Sequence, residues 1–387
     1  MQLIEKTIPA QHSKSIDSRL RQHMPNVLIA GGGSGGHVAP AIAAAEELTT
    51  RGCDVLLAHS NRSIDDLMVG GSPFEGLRVP AEPASVHPVG VVRFCLGFLG
   101  TSRIIRDVIR YRHIDCVLTT GGFVAAPALK AARGVGCPSI LLNLDDPPGK
   151  ANRLAVRWAD HVLSTVTCNL THVTLIKPPL RKSVIASSDI QTCKERLGLD
   201  IRLQTLLVTG ASQGARTIND LVCELATRFP QNFQGWQVLH IAGTSHVEQV
   251  QAKWKGIDVP CTVLGFHNAM GDAWGAADLA VTRGGANTIA EIAMNGVPTV
   301  VLPYPFHKDE HQRTNAMPLA EIGGVVVVTD HKQLEPNLVD AGDSILELMG
   351  NHHTRFAMRQ AMVSSIPENG AVAIAETCIA CVEELRA

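Results

Sequence analysis

The fold of this chain is decided by the stretch Asn26-Val27-Leu28-Ile29-Ala30-Gly31-Gly32-Gly33-Ser34-Gly35-Gly36-His37-Val38, in which an apolar run leads directly into a glycine-rich loop. The run predicts a buried strand, and the amphipathic residues from Val38 to Thr50 predict a helix. Such a corner brings backbone N–H groups and a helix N-terminus towards an anion, usually a phosphate. A tight turn needs fewer than the five glycines found at positions 31–36. We therefore predict a phosphate site here.

The same alternation of short apolar runs and amphipathic stretches continues through the first half of the chain, which predicts a parallel sheet covered by helices. Pro178 and Pro179 then interrupt the pattern, as is typical of a crossing between domains. The further strands predicted before this interruption are Val55–Ala58, Cys116–Thr119, Ser139–Leu142 and His161–Ser164.

After Arg202 the pattern starts again, so we predict an α/β protein of two Rossmann-like, doubly wound parallel-sheet domains that face each other across a cleft. The predicted division is a mobile N-terminal extension (1–25), an N-terminal domain (26–180), a C-terminal domain (181–365) and a C-terminal helix (366–387) that packs back on the N-terminal domain. The second half is predicted to contain strands Thr205–Val208, Trp236–Ile241, Thr262–Leu264, Leu279–Val281 and Pro298–Leu302, with a helix at Thr217–Phe229.

The composition is that of a globular protein, with 45% hydrophobic and 18% charged residues. A formal net charge of −2 argues against generic nucleic-acid binding. The ten scattered cysteines fit a reducing compartment. No apolar run is expected to approach the about 20 residues that span a bilayer, and residues 1–25 do not resemble a secretory signal. We therefore expect a cytoplasmic protein.

Two common phosphate motifs fit the first glycine loop poorly. Gly31, Gly33 and Gly36 satisfy GxGxxG, but the second predicted strand ends near His59 without the acid that a dinucleotide fold places against ribose. A Walker A loop needs Gly-Lys-Ser/Thr, whereas Gly36 is followed by histidine. Nicotinamide and ATPase chemistry are therefore disfavoured.

Two further loops in the second half indicate nucleotide binding. Gly210–Arg216 follows its strand and supplies the hydroxyl of Ser212, so that two helix N-termini could stabilise a diphosphate without a metal ion or other cofactor. Arg283–Glu291 again leads from loop into helix. The Glu291 carboxylate could complement the helix dipole or accept two hydrogen bonds from a ribose diol. The polar segment 307–312 favours the interpretation that Glu291 binds ribose.

Several ordered motifs then occur in register: 32–37 with Pro40, Thr120–Phe123, Pro148–Arg153, Gly210–Arg216, Arg283–Glu291, and 307–309 with Gln312 and Asn315. From about Asn26 to the C-terminus the chain resembles the MurG glycosyltransferases. The resemblance implies a GT-B fold and transfer of N-acetylglucosamine from UDP-GlcNAc to the undecaprenyl-diphosphate-linked muramoyl pentapeptide, which turns lipid I into lipid II in peptidoglycan synthesis. It also implies a peripheral position on the cytoplasmic face of the cell membrane.

Carried over by position, the resemblance implies a set of substrate contacts. Ser34, Gly35, Gly36 and His37 line the donor diphosphate and the acceptor side; Arg181, Ser212 and Asp146 reach the donor; Phe266 and the backbone of His267 hold uracil; Ala286, Asn287, Thr288, Ile289, Ala290 and Glu291 hold ribose and diphosphate; Gln312 contacts the sugar. His37 is the first candidate for the general base because imidazole titrates near neutral pH, and Asp146 is the second. His37 could instead only bind a phosphate.

Some positions depart from the family pattern. The family's His-Glu-Gln-Asn segment appears as Asn143-Leu144-Asp145-Asp146, so Asp146 keeps an acceptor oxygen but loses the amide donor. Pro178 stands where the family usually has asparagine, and His-Gln-Thr-Gly appears as 240–243. The donor sugar and the base are the features that these departures affect.

The apolar segment Val89–Leu99, followed by Arg103 and Arg106, is typical of an interfacial surface on an anionic leaflet, or of a buried helix. Alternative functions are a GT-B glycosyltransferase with another UDP-sugar or acceptor, a UDP-GlcNAc epimerase, and a non-catalytic nucleotide-sugar-binding protein.

Overall fold

The computed structural model describes residues 24–210, 214–305, 310–365 and 368–386. The extension predicted as mobile lies outside these ranges except for its last two residues. Ser212 and residues 307–309 also lie outside them.

The first sheet has seven parallel strands in the order β3-β2-β1-β4-β5-β6-β7. Its central strands are buried on both faces because helices cover each side, which explains their continuous apolar sequence. The elements are β1 (Asn26–Ala30), α1 (Gly35–Thr50), β2 (Asp54–His59), α2 (Ser63–Gly70), β3 (Glu75–Arg78), α3 (Pro88–Tyr111), β4 (Cys116–Thr119), α4 (Ala125–Arg133), β5 (Ser139–Asn143), α5 (Lys150–Ala155), β6 (His161–Ser164) and β7 (Val173–Leu175).

The second sheet has six parallel strands in the order β10-β9-β8-β11-β12-β13. The predicted fold class, two doubly wound parallel-sheet domains, is thereby confirmed. The elements are α6 (Ile190–Arg196), β8 (Gln204–Thr209), α7 (Arg216–Arg228), β9 (Trp236–Ile241), α8 (Val247–Trp254), β10 (Cys261–Leu264), α9 (Met270–Ala276), β11 (Leu279–Thr282), α10 (Ala286–Asn295), β12 (Thr299–Val301), α11 (His311–Glu321), β13 (Val325–Val327), α12 (Leu334–Asn337), α13 (Asp343–Gly350), α14 (His352–Val363) and α15 (Gly370–Arg386).

The last helix, α15, returns to the first sheet. Ile374, Cys378 and Val382 are buried in the core that α1 and β1 also form. Just before the helix, the side-chain amide of Asn369 makes two hydrogen bonds with the backbone of Leu180. Its Oδ1 accepts from Leu180 N at 2.8 Å, and its Nδ2 donates to the Leu180 carbonyl at 2.7 Å. The chain therefore crosses between the two sheets twice, and the two crossings are bonded to each other.

The helix α3 corrects one expectation from the sequence. It is 24 residues long, and by length and composition alone it could cross a membrane. The predicted apolar segment ended at Leu99, whereas the helix continues to Tyr111. Thr101, Ile105 and Ile109 are buried, and the helix packs along α4, so one face belongs to the domain. Three short strands, β3, β7 and β13, were also not predicted; all three lie at sheet edges.

Candidate active site

The first glycine loop lies at the carboxyl edge of the first sheet, between β1 and α1. Ser34 stands at the helix N-cap without a side-chain capping bond, so the first amides of α1, at Gly35 and Gly36, have no intrahelical acceptor. Ser34 and Gly36 are exposed. These N–H groups lie at the positive end of a 16-residue helix, which is the arrangement that binds an anion.

A second pair of glycines supports this loop from β4. Gly121 and Gly122 follow the strand with φ of +96° and +74°, a backbone region that residues other than glycine rarely adopt. A Cβ atom at Gly122 would overlap the carbonyl oxygen of Gly32, and one at Gly121 would lie 2.8 Å from Nδ1 of His37. The close approach of the two loops therefore depends on glycine at both positions.

The imidazole of His37 is oriented by the same β4 loop. Its Nδ1 lies 2.9 Å from the carbonyl oxygen of Thr120, and the Thr120 hydroxyl donates to the His37 carbonyl at 2.7 Å. Because a carbonyl oxygen can only accept, Nδ1 carries the proton. In the neutral ring, Nε2 therefore keeps its lone pair and can accept a proton or a hydrogen bond from a substrate.

A cavity of about 330 Å³ opens beside His37, among α3, α4 and α5. Phe94 and Phe123 contribute apolar walls, and Lys150 and Asp145 contribute charge. The predicted residue Asp146 is exposed and is not part of this lining, so its neighbour Asp145 is the carboxylate that shares the cavity with His37.

The loop that carries these carboxylates is bonded to the end of β5. Asn143 donates through Nδ2 to the Asp145 carbonyl at 2.8 Å, and Asn152 donates to Oδ1 of Asn143 at 3.0 Å. Asn152 also lines the cavity, and its own Oδ1 is buried without a hydrogen-bond partner among the described residues.

In the second domain, Gln312 is held by two backbone amides. Its Oε1 accepts from Tyr304 N at 2.9 Å and from Gly284 N at 3.3 Å. Asn315 donates to the Gly284 carbonyl at 3.1 Å. The side-chain oxygen of Gln312 is thus occupied, and its NH₂ group is the part that can donate to a sugar hydroxyl.

Glu291 lies in the second turn of α10, where its Oε2 accepts from Nε1 of Trp274 at 2.9 Å. Burial raises the pKa of Glu291 to about 7, although the Trp274 hydrogen bond and the positive charge of Arg181 act in the opposite direction. Arg181 belongs to the interdomain crossing and also acts on Glu46 of α1, whose pKa burial raises. The charge of Arg181 therefore acts on both Glu291 and Glu46.

The other predicted nucleotide contacts are distributed around α10 and β10. Ala286 is exposed at the start of α10, whereas Ile289 is buried in the domain core, which limits it to backbone contacts with a ligand. Phe266 is 54% exposed. Nε2 of His267 is buried without a hydrogen-bond partner among the described residues.

Sequence reasoning assigned no role to the Arg283 side chain and missed Asp330. Arg283 is almost fully buried and donates to Asp330 Oδ2 at 2.7 Å and to Thr217 Oγ1 at 2.6 Å. It thereby joins the start of α7 to the loops that follow β11 and β13. The signal was weak because Asp330 lies 47 positions from Arg283 in the sequence.

The two parallel-sheet domains, with a glycine corner at a helix N-terminus in the first, define a GT-B fold. Family models for the N-terminal and C-terminal domains of glycosyltransferase family 28 match residues 27–164 and 205–376. These matches identify the chain as a glycosyltransferase of family 28.

Relatives that match over nearly their full length show that the chain belongs to the MurG family. A Clavibacter michiganensis subsp. michiganensis protein named UDP-N-acetylglucosamine--N-acetylmuramyl-(pentapeptide) pyrophosphoryl-undecaprenol N-acetylglucosamine transferase is 35% identical over 358 residues, covering 90% of this chain and 94% of the relative. A Streptomyces coelicolor protein of the same name is 32% identical, covering 87% and 92%.

Solved structures agree on the fold. The crystal structure of Acinetobacter baumannii MurG superposes with a TM-score of 0.68 at 21% identity, covering 91% of this chain and 98% of that one. A UDP-GlcNAc 2-epimerase from Neisseria meningitidis superposes with a TM-score of 0.60 at 12% identity. The shared fold therefore does not by itself separate transferases from epimerases.

Proposed function

We propose that this protein transfers N-acetylglucosamine from UDP-GlcNAc to the undecaprenyl-diphosphate-linked muramoyl pentapeptide, the step from lipid I to lipid II in peptidoglycan synthesis. Full-length similarity to transferases of that name supports the reaction. The structural observation that carries the proposal is the position of His37, whose Nδ1 is held by the Thr120 carbonyl and which lines a largely apolar cavity beside α3. A residue that can accept a proton, beside an apolar space, supports the proposal that a lipid-linked acceptor binds on this side of the protein.

In the proposed reaction the acceptor hydroxyl attacks the anomeric carbon of the donor sugar with inversion. The new glycosidic C–O bond forms as the bond to UDP breaks, UDP leaves with the electron pair, and the hydroxyl proton passes to a general base. His37 is the proposed base, and the exposed Asp146 is the second candidate. The amides of Gly35 and Gly36, with Ser34, stabilise phosphate charge.

The donor is assigned to the second domain (181–365) and the acceptor to the first (26–180). Arg181 and Ser212 are proposed to contact the donor diphosphate, and Phe266 with the His267 backbone to hold uracil. Ala286 to Glu291 are proposed to bind ribose and diphosphate, and Gln312 the sugar. The tethering of Gln312 through its oxygen supports the last of these roles, because it leaves a defined donor.

We place the protein on the cytoplasmic face of the cell membrane, held peripherally by α3. Val92, Leu96 and Leu99 are 57%, 66% and 60% exposed, which is unusual for large apolar side chains on one helix. Arg93 and Arg103 are exposed on the same helix and suit an anionic leaflet. Phe94 and Phe98 point elsewhere: Phe94 lines the cavity, and Phe98 packs against Trp158.

Replacing Leu96 and Leu99 together by serine is expected to reduce flotation with anionic vesicles at least tenfold, because each side chain contributes about 1.5–3 kcal/mol on leaving water. The matched control is Val339→Ser, which removes an exposed apolar side chain (70%) from the second domain. Equal flotation of the double variant and the wild type would exclude α3 as the membrane-binding surface.

The reaction itself is tested with a lipid I analogue and a donor panel of UDP-GlcNAc, UDP-GalNAc and UDP-glucose. We expect sugar transfer from UDP-GlcNAc in preference to the other two. Transfer from another donor would place the enzyme elsewhere among the GT-B transferases. Formation of a 2-epimer without acceptor would indicate an epimerase, and UDP-GlcNAc binding without turnover would indicate a binding protein.

A further inference from the structure

Both backbone polar groups of Gly33, in the middle of the first glycine loop, are hydrogen-bonded to side chains at the start of α2. The Gly33 N–H donates to Oδ2 of Asp65 at 2.7 Å. Its carbonyl accepts from Nη1 of Arg62 at 2.6 Å. The residue adopts φ of +97°, one of the several conformations that glycine adopts readily, so these two bonds select one conformation among those open to it.

Asp65 is arranged to receive these donors. Its side chain is fully buried, and Oδ2 also accepts from the Ser60 hydroxyl at 2.5 Å and from Ser60 N at 3.3 Å. Burying a carboxylate is costly unless hydrogen bonds satisfy it. Oδ2 accepts three such bonds, Oδ1 is buried without a hydrogen-bond partner among the described residues, and the position of Asp65 in the first turn of α2 adds a favourable helix dipole. The end of β2, the start of α2 and the glycine loop therefore meet at one oxygen atom.

Arg62 connects the same point to the cavity. Its guanidinium lies 5.2 Å from the centre of the Phe123 ring. That ring packs directly against the Cα of Gly33, since a Cβ there would overlap it, and it also forms part of the cavity wall. The conformation of the glycine loop is thus linked to the shape of the space beside His37.

We propose that Asp65 and Arg62 are positioning residues that hold Gly33 and thereby present the Gly35 and Gly36 amides and His37 to the diphosphate-bearing acceptor. The inference rests on the proposed function for the identity of that substrate. Its physical basis is that a loop with five glycines in six positions loses much conformational entropy on ordering, and two charge-assisted hydrogen bonds offset that loss before substrate arrives.

The test uses Asp65→Asn and Arg62→Met in the full-length protein. The matched controls are Glu75→Gln and Arg78→Met, two exposed charged residues of β3 whose partners, Arg112 and Asp66, lie outside the clamp. Arg62 is exposed, so its replacement tests the proposal even where Asp65→Asn fails to fold. Hydrogen–deuterium exchange of the peptide containing Gly33 is measured first, since it requires no substrate.

We expect faster exchange in that peptide for both clamp variants and unchanged exchange for both controls. We also expect the KM for the lipid-linked acceptor to rise about tenfold, the effect of one lost charge-assisted hydrogen bond. Unchanged exchange in Arg62→Met and in folded Asp65→Asn would overturn the clamp. Faster exchange with unaltered acceptor KM, or a fall in kcat alone that matches a loss of folded protein, would overturn the positioning role. A wild type without transfer activity would contradict the proposed function and leave the exchange result to decide the clamp.

Discussion

Replacing His37 by alanine is expected to lower kcat by about 10²–10⁴-fold at saturating substrates, the range that a lost general base produces. The Thr120 carbonyl holds the proton on Nδ1, so Nε2 is the basic nitrogen of the neutral ring. The alanine variant removes it from the site. The measurement is kcat for transfer from UDP-GlcNAc to a lipid I analogue. His161→Ala is the control, since His161 is exposed at the amino end of β6, at the opposite edge of the sheet.

A glutamine at position 37 separates the two roles considered for this residue. Glutamine can donate a hydrogen bond to a phosphate but cannot take the hydroxyl proton. As a base, His37 predicts that His37→Gln remains as slow as His37→Ala. Near-normal kcat in either variant, with a raised acceptor KM, would instead assign His37 to phosphate binding and leave Asp146 or Asp145 to be tested as the base.

Replacing Glu291 by glutamine is expected to raise the KM for UDP-GlcNAc about 10–100-fold. A carboxylate that accepts two hydrogen bonds from a ribose diol is stronger than a neutral amide, and hydrogen bonds to charged groups are worth about 1.5–3 kcal/mol. The control is Glu248→Gln, an exposed change in the same domain. An unchanged donor KM would mean that Glu291 serves only the fold, through Trp274.

The pH dependence follows from the raised pKa of Glu291. Burial moves it from 4.5 to about 7, so the free enzyme protonates this group as the pH falls through 7. We expect the KM of the wild type for UDP-GlcNAc to rise as the pH falls from 8 to about 6. This pH dependence should be absent in Glu291→Gln. Because the folded-state pKa is raised, the stability linked to this proton is present below about pH 4.5 and is lost as the pH rises through 7.

Sequence reasoning located the central strands well and the edge strands poorly. β1, β4 and β8 are buried on both faces, so their apolar runs are continuous and easily recognised. β3 contains Glu75 and Arg78, and β7 is only three residues long with its last two residues exposed. Edge strands bury less surface, and their sequences therefore carry less of the apolar pattern.

The candidate site shows the same limit at the level of side chains. The charge of the predicted Arg181 does act on Glu291, and His37 does line a cavity, but the carboxylate in that cavity is Asp145 and not Asp146. On α3, the exposed apolar residues include Leu96, whereas Phe98 turns inward against Trp158. Residues of the same chemical type that are close in sequence point their side chains in different directions here, and residue type alone does not determine that direction.

By itself, the sequence determined the two α/β halves, the glycine corner at 31–36 and the family, because each depends on residue types at short, regular spacing. Only the tertiary structure decided what holds that corner, since Asp65 reaches Gly33 from 32 positions away in the chain. It also decided which face of α3 stays in solvent. Both depend on how separate segments pack and on the rotation of a helix about its axis, which arise when the cores form.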